Sequence, residues 1–225
     1  MKYIDLTQAF YDGLEPYDAD WYPRFRIETV MRPDADPNGT TRTFTKHEIF
    51  PHNATHIESA LHFFPSGQPI AKVPLEILVG PALVADLSHK RDLEPIDADD
   101  LERAVGDLEC AGKRLLIRTD YVNRAWGRDD FWEKPPYLTP SAAQWIVDKK
   151  FCLMGLDCLT ERPGDRASPV HITLLQHDIP IVEYLRNMGE LSSREVFLVA
   201  LPLLIEGVEA TAARVIAIEG LSHAG

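Results

Sequence analysis

Between His52 and His62 the chain reads His-Asn-Ala-Thr-His-Ile-Glu-Ser-Ala-Leu-His, three imidazoles and one carboxylate where an even spread of its eight histidines would place less than one. His52, His56, Glu58 and His62 all occupy even positions, so an extended backbone would turn the four side chains to one face. The even positions between them are the small Ala54 and Ala60. Imidazole nitrogens and a carboxylate oxygen converging on one point are the ligand set of a borderline divalent ion such as zinc or manganese. A lone histidine is more often an ordinary core or surface residue, but four convergent groups favour a metal site. Phe63-Phe64-Pro65-Ser66-Gly67 follows at once and reads as the wall and turn closing one side of a pocket.

The elements that must position these groups are of both kinds. β-branched content and flanking turn residues predict strands over Ile4 to Leu6, Phe25 to Val30, Thr41 to Phe50, Ala82 to Asp86, Arg114 to Arg118, Phe151 to Leu156, Ile181 to Tyr184, Val196 to Leu201 and Arg214 to Ile218. Asp97 caps a helix through about Val105, and Thr139-Pro140 opens another through about Lys149. A third begins near Ser168-Pro169 and carries His171. Arg32 to Thr40 and Asn123 to Pro136 read as surface loops. The pattern is mixed α/β, with no internal repeat.

At 225 residues, 45% apolar and 26% charged, the chain fits one soluble globular domain, residues 1–225. Its net charge of −12 disfavours nucleic acid and anionic membrane as partners and favours a small-molecule substrate. The longest apolar run, Val196 to Ile205, is too short to span a bilayer and contains Pro202. Cys110, Cys152 and Cys158 form no Cys-x-x-Cys and read as reduced thiols of a cytoplasmic protein. The segment Met1 to Leu6 reads as a strand and not as a signal peptide, so the sequons at Asn38 and Asn53 are chance matches.

Further along, His171 stands at the start of a helical stretch and Glu183 at the end of a strand, with turn-prone Asp178-Ile179-Pro180 between them. Taken alone, each is more often a packed or solvated residue. Asp157, after Gly155-Leu156, admits two readings of equal weight: it orients a nearby ligand, or it caps the next turn.

Taken together, these segments resemble the metal-dependent hydrolases of the cyclase family, whose members include bacterial kynurenine formamidases and isatin hydrolase. The family pattern His-x-Gly-Thr-His-x-Asp-x-Pro-x-His and its aromatic pair lie over His52 to Phe64, with Ala54 for the glycine, Glu58 for the aspartate and Ala60 for the proline. Val73-Pro74-Leu75-Glu76, Leu116-Ile117-Arg118-Thr119, Tyr137-Leu138-Thr139-Pro140, Gly155-Leu156-Asp157, Pro169-Val170-His171 and Ile179-Pro180-Ile181-Val182-Glu183 follow in the family's order.

The resemblance implies a single compact α/β domain with a curved mixed central sheet and flanking helices, assembled as a homodimer or larger homo-oligomer. It implies that His52, His56 and Glu58 hold one zinc or manganese ion, that Glu58, His171 and Glu183 hold a second, and that His62 carries protons. Tyr17, Phe63 and Phe64 would contact the substrate, with Trp21-Tyr22 as an alternative to Tyr17. The implied reaction is hydrolysis of an amide bond in a small molecule, an aryl formamide such as N-formylkynurenine or a cyclic amide. Lactone hydrolysis, dehydration or cyclisation on the same ions, and metal binding without catalysis, are the alternatives. Glu58 matters to all of them, because its extra carbon–carbon bond of about 1.5 Å sits where the family carboxylate touches both ions.

Overall fold

Most of the apolar runs read as strands pair into one sheet that curls until its ends meet. The computed structural model describes residues 1–17, 21–31 and 43–221; the expected loop Arg32 to Thr40, with its sequon, lies outside them. Strand β1 (Lys2–Asp5) is followed by an antiparallel pair, β2 (Arg26–Met31) and β3 (Phe44–Glu48), and by the short β4 (His56–Glu58). Next come the one-turn helix α1 (Leu75–Leu78), β5 (Val79–Asp86), β6 (Pro95–Ile96), α2 (Ala98–Val105), β7 (Arg114–Arg118) and α3 (Tyr121–Ala125). The remainder holds β8 (Tyr137–Leu138), α4 (Pro140–Asp148), β9 (Leu153–Leu156), α5 (Pro169–Gln176), β10 (Ile181–Glu183), β11 (Glu195–Pro202) and β12 (Ala210–Glu219).

The main sheet runs β1-β12-β11-β5-β7-β9-β10-β4, and β4 pairs again with β12, so seven strands close a ring. Strands β5, β7, β9 and β10 are parallel, and the other pairings are antiparallel. This is the curved mixed sheet that the resemblance implies. Period-two alternation gives it two faces. Val84, Leu116, Leu153, Val182, Ile57, Val215 and Leu198 share the inner face and form one buried cluster filling the ring. Outside it, Leu83, Leu115, Ile117, Met154, Leu156 and Ile181 lie under the helices, against Leu101, Ala142, Ile146, Val170 and Leu174. Each large aliphatic side chain buried on either face is worth about 1.5–3 kcal/mol.

The helix starts follow their capping residues. Asp97 accepts a hydrogen bond from the Asp100 amide at 2.9 Å, and the Asp100 carboxylate accepts one from Asp97 N at 3.0 Å, a reciprocal cap. Thr139 caps α4 ahead of Pro140. The structure departs from expectation in three places. His52 to His62 is not one extended run: 3-10 turns at Pro51–Asn53 and Ala60–His62 flank the three-residue β4. Strand β12 begins at Ala210 and not Arg214, because Ala210–Ala212 has β4 to pair with. Helix α3 takes in the first three residues of the loop expected from Asn123, and the rest of it is turns and irregular backbone. Among the described residues no helix is long and apolar enough to cross a membrane.

Candidate metal centre

Strand β4 presents His56 and Glu58 on the outer face of the ring while Ile57 points into the core. On one side β10 runs antiparallel with Glu183 directly opposite His56; on the other, the small Ala212 and Ala210 of β12 stand opposite His56 and Glu58 and leave them room. Thr55 ties the start of β4 down, donating from Oγ1 to the Tyr184 carbonyl at 2.7 Å and accepting from Gln8 N at 2.7 Å. His52 enters from the preceding 3-10 turn, its carbonyl accepting from the Tyr22 hydroxyl at 2.9 Å. His62 closes the following turn. That turn depends on Gly67, where a Cβ would come within 2.5 Å of the Ala60 carbonyl carbon. His171 arrives from the first turn of α5.

The six side chains expected to share a site therefore meet, with Glu58 at the centre and only 1% exposed. Its Oε2 lies 3.6 Å from His52 Nδ1, 3.9 Å from His56 Nε2 and 3.6 Å from His62 Nε2; its Oε1 lies 3.0 Å from His171 Nε2. Glu183 spans the same gap, one oxygen 3.7 Å from His56 Nε2 and the other 3.7 Å from His171 Nε2. His52 Nδ1 and His56 Nε2 are 3.0 Å apart. Ligand atoms of His52, His56 and Glu58 all lie within 4.8 Å of one another.

These residues fit a cation. His56 Nδ1 must carry a proton, because it stands 2.8 Å from the Ala54 carbonyl, which only accepts. In the neutral ring Nε2 is then a bare lone pair aimed at the centre. Glu58 Oε1 is buried without a well-directed hydrogen bond, His171 meeting it as a charge neighbour. Protons take the cation's place where no ion is bound. Burial pushes the His171 imidazolium down, but Glu58 and Glu161 outweigh that and hold its pKa well above the ordinary value. Burial likewise opposes a charged His56, and Glu58 and Glu183 raise it. Glu58 is held well below the carboxylate range, because His171, His56 and His62 outweigh its burial. His62, the most exposed of the four histidines at 30%, moves the other way, lowered by burial.

The aromatic side chains divide. Phe63 stacks on His171 with ring centres 5.4 Å apart and meets His62 edge-on at 4.8 Å. Phe63 and Phe64 both also pack against the core under the helices. Tyr17 pairs with Tyr22 and Trp132 and lines a cavity of about 660 Å³ walled also by Tyr11, Trp126 and Phe131. Tyr22 is the member of that cavity that touches His52. Trp132 leads from it to the site, packing edge-on against Tyr184, which in turn lies over His56. Asp157 turns away from the site and caps the β7–α3 corner, accepting from the Thr119 and Asp120 amides at 2.7 Å each. Cys158 is buried and its thiol is pushed well up, which removes it as a nucleophile. Asn53 is also buried, its Nδ2 donating to the Pro23 carbonyl, so its sequon is structural.

Two carboxylates behind the cluster escaped the sequence reading. Glu161 lies 3.0 Å from His171 Nδ1, and Glu209 3.2 Å from His52 Nε2. Each is a lone acidic residue in a loop, with no motif to mark it.

The cyclase family model matches residues 4–161. The chain belongs to the cyclase family. Among its relatives is the kynurenine formamidase of Bacillus cereus, 27% identical over 216 residues that cover 96% of each chain. That of Bacillus thuringiensis is 29% identical over the same shares. A solved structure described as a potential metal-dependent hydrolase with cyclase activity superposes with a TM-score of 0.79 at 26% identity, covering 96% of both chains. Isatin hydrolase A from Ralstonia solanacearum, 23% identical, shares the fold at a TM-score of 0.82 over 97% of this chain and 92% of its own.

Proposed function

We propose that this cyclase-family chain is a single-domain, metal-dependent hydrolase that cleaves the amide bond of a small molecule, with an aryl formamide such as N-formylkynurenine as the leading substrate class. The observation that carries the reading is the buried Glu58, one oxygen facing His52, His56 and His62 and the other facing His171. In this reading His52, His56 and Glu58 hold one divalent ion, zinc or manganese, and Glu58, His171 and Glu183 hold a second. A bound zinc ion lowers the pKa of water to about 7 and polarises a carbonyl oxygen, so no protein nucleophile is needed.

The chain's own groups do the rest. His62 Nε2 lies 3.6 Å from Glu58 and is partly open to the cleft. Its lowered pKa leaves it neutral near pH 7 and able to accept a proton, which it then returns to the leaving nitrogen. Phe63, stacked on His171, supplies a flat apolar surface beside the reacting bond, and the Tyr17, Tyr22 and Trp132 cavity offers space for an aromatic ring. Exposed Ile27, Val30 and Phe44 on β2 and β3 support assembly as a homodimer, because a two-stranded ribbon is marginal by itself in water.

The test is elemental analysis of the purified protein followed by hydrolysis assays on N-formylkynurenine, isatin and simple lactones. A protein that holds zinc or manganese and turns over the formamide supports the reading. Metal with no hydrolysis of any amide points to a binder, and preference for a lactone moves the substrate class.

A further inference from the structure

In His52, His56 and His171 one ring nitrogen faces the cluster and the other meets an acceptor, for His56 the Ala54 carbonyl. His171 Nδ1 is 3.0 Å from Glu161 Oε1. The same oxygen accepts from the amides of Val170 and His171 at 2.9 Å each. Those are free N–H groups of the first turn of α5, and the residue at its N-cap, Ser168, has a left-handed backbone (φ 45°) and makes no side-chain cap. Glu161, reaching back across the loop, is therefore the cap of α5 and the outer partner of His171 at once. On the opposite side, His52 Nε2 is 3.2 Å from Glu209, which stands immediately before β12 and next to Ala210, the neighbour of Glu58.

We propose that Glu161 and Glu209 are positioning residues, each fixing the tautomer and aim of one imidazole: Glu161 that of His171, and Glu209 that of His52. A carboxylate only accepts, so each ring must present N–H to it and the bare nitrogen to the centre. The two act on different halves of the cluster, since His52 stands with His56 on one side of Glu58 and His171 on the other. Glu161 adds a mechanical link, because one oxygen holds both the ring and the end of its helix and α5 cannot shift without turning His171. The inference rests on the ligand reading above. It goes beyond that reading by assigning two carboxylates that bind no ion themselves.

The experiment is titration calorimetry of chelator-stripped protein with Zn²⁺, on wild type, Glu161→Gln and Glu209→Gln. It is read together with ¹⁵N spectra of the histidine rings in the zinc-loaded state and thermal melts of the stripped state. Glutamine can still accept a bond at its oxygen but presents an amide that serves either tautomer, so the fold is kept while the ring is released. Each variant is expected to weaken one binding event by about 10–100-fold, the loss typical of an outer carboxylate partner, and to leave the other event and the melt near wild type. The protected Nδ1–H signal of His171 should vanish in Glu161→Gln only, and the Nε2–H signal of His52 in Glu209→Gln only.

Unchanged affinities with unchanged ring signals would overturn the assignment while leaving the ligand reading intact. So would equal weakening of both events alongside a large drop in the melt, which is a purely structural effect. Loss of a whole equivalent of zinc in Glu209→Gln would make Glu209 a ligand, in the trio it forms with His52 and His62. Wild type that takes up no zinc, manganese or other divalent ion overturns the ligand reading and this inference with it.

Discussion

Glu58 and Asp157 are both buried carboxylates at strand ends of the same sheet, exposed by 1% and 2%, and they live in opposite surroundings. Asp157 is served by neutral donors: Thr119 gives its amide and its hydroxyl, and Asp120 its amide, all at 2.7 Å. Those bonds stabilise a corner in which Asp120 has a left-handed backbone (φ 58°), and they do not offset the burial, which raises the pKa to about 7. Glu58 has no such donors. Its Oε1 lacks a well-directed hydrogen bond, three imidazoles surround its Oε2, and a fourth faces Oε1. A buried carboxylate whose lone pairs are filled by backbone amides is holding structure. One left facing four imidazole rings has the chemistry of a cation site.

The largest expected effect breaks the ligand side of that contrast. His56→Ala should lose ion uptake by more than the 10–100-fold typical of removing an outer partner, whereas Asp157→Ala should keep the wild-type metal content. Equal metal content in His56→Ala and wild type, measured by elemental analysis, would dissolve the contrast. His62→Ala comes next. It should retain its ions and its melt but lose turnover by about 10²–10⁴-fold, the usual worth of a proton carrier. Loss of metal along with the rate would make His62 a ligand.

A pH series on chelator-stripped protein sharpens the comparison. His56 and His171 have raised pKa values, so their contribution to stability is complete below the ordinary imidazole value and is lost as pH climbs through the raised ones. Asp157 also titrates high, so its contribution is present below 3.8 and is lost as pH approaches about 7. Glu58 runs the other way: depressed, it contributes above 4.5 and loses that contribution as pH falls. The melting temperature of stripped protein should therefore decline from pH 6 upward, and zinc should restore it at the cluster, because the ion replaces the protons that leave. Stripped protein that gains stability over that range would contradict the assigned shifts. The smallest effect is expected of Asp157→Asn, which keeps an acceptor for Thr119 but faces the Asp120 amide with another donor. Leaving one buried donor unpaired costs about 1–3 kcal/mol, readable in a denaturant titration with metal content unchanged.

How much of this was legible in the chain depended on how local each feature is. His52, His56, Glu58 and His62 stood out because they fall within eleven residues, even though the extended run that would align them is only three residues long. The two 3-10 turns bring His52 and His62 in by another route, which no side-chain pattern announces. Both helix starts at Asp97 and Thr139 were readable because a cap is a contact between near neighbours. His171 and Glu183 had no local signal and entered through the family resemblance alone.

By itself, then, the sequence determined the residue types of the candidate site, the mixed α/β character and the capped helices, because these follow from residue chemistry and from periods of two and 3.6. Only the tertiary structure decided which carboxylate faces the imidazole cluster and which caps a corner. Glu183 reaches His56 through a cross-strand register, Glu161 and Glu209 reach His171 and His52 through loops, and Asp157 is turned to Thr119 by the β7–α3 corner. Each of those meetings joins residues from 10 to 157 positions apart in the chain. Closing the ring, with β4 held between β10 and β12, is what brings Glu183 to His56 and Glu209 to His52.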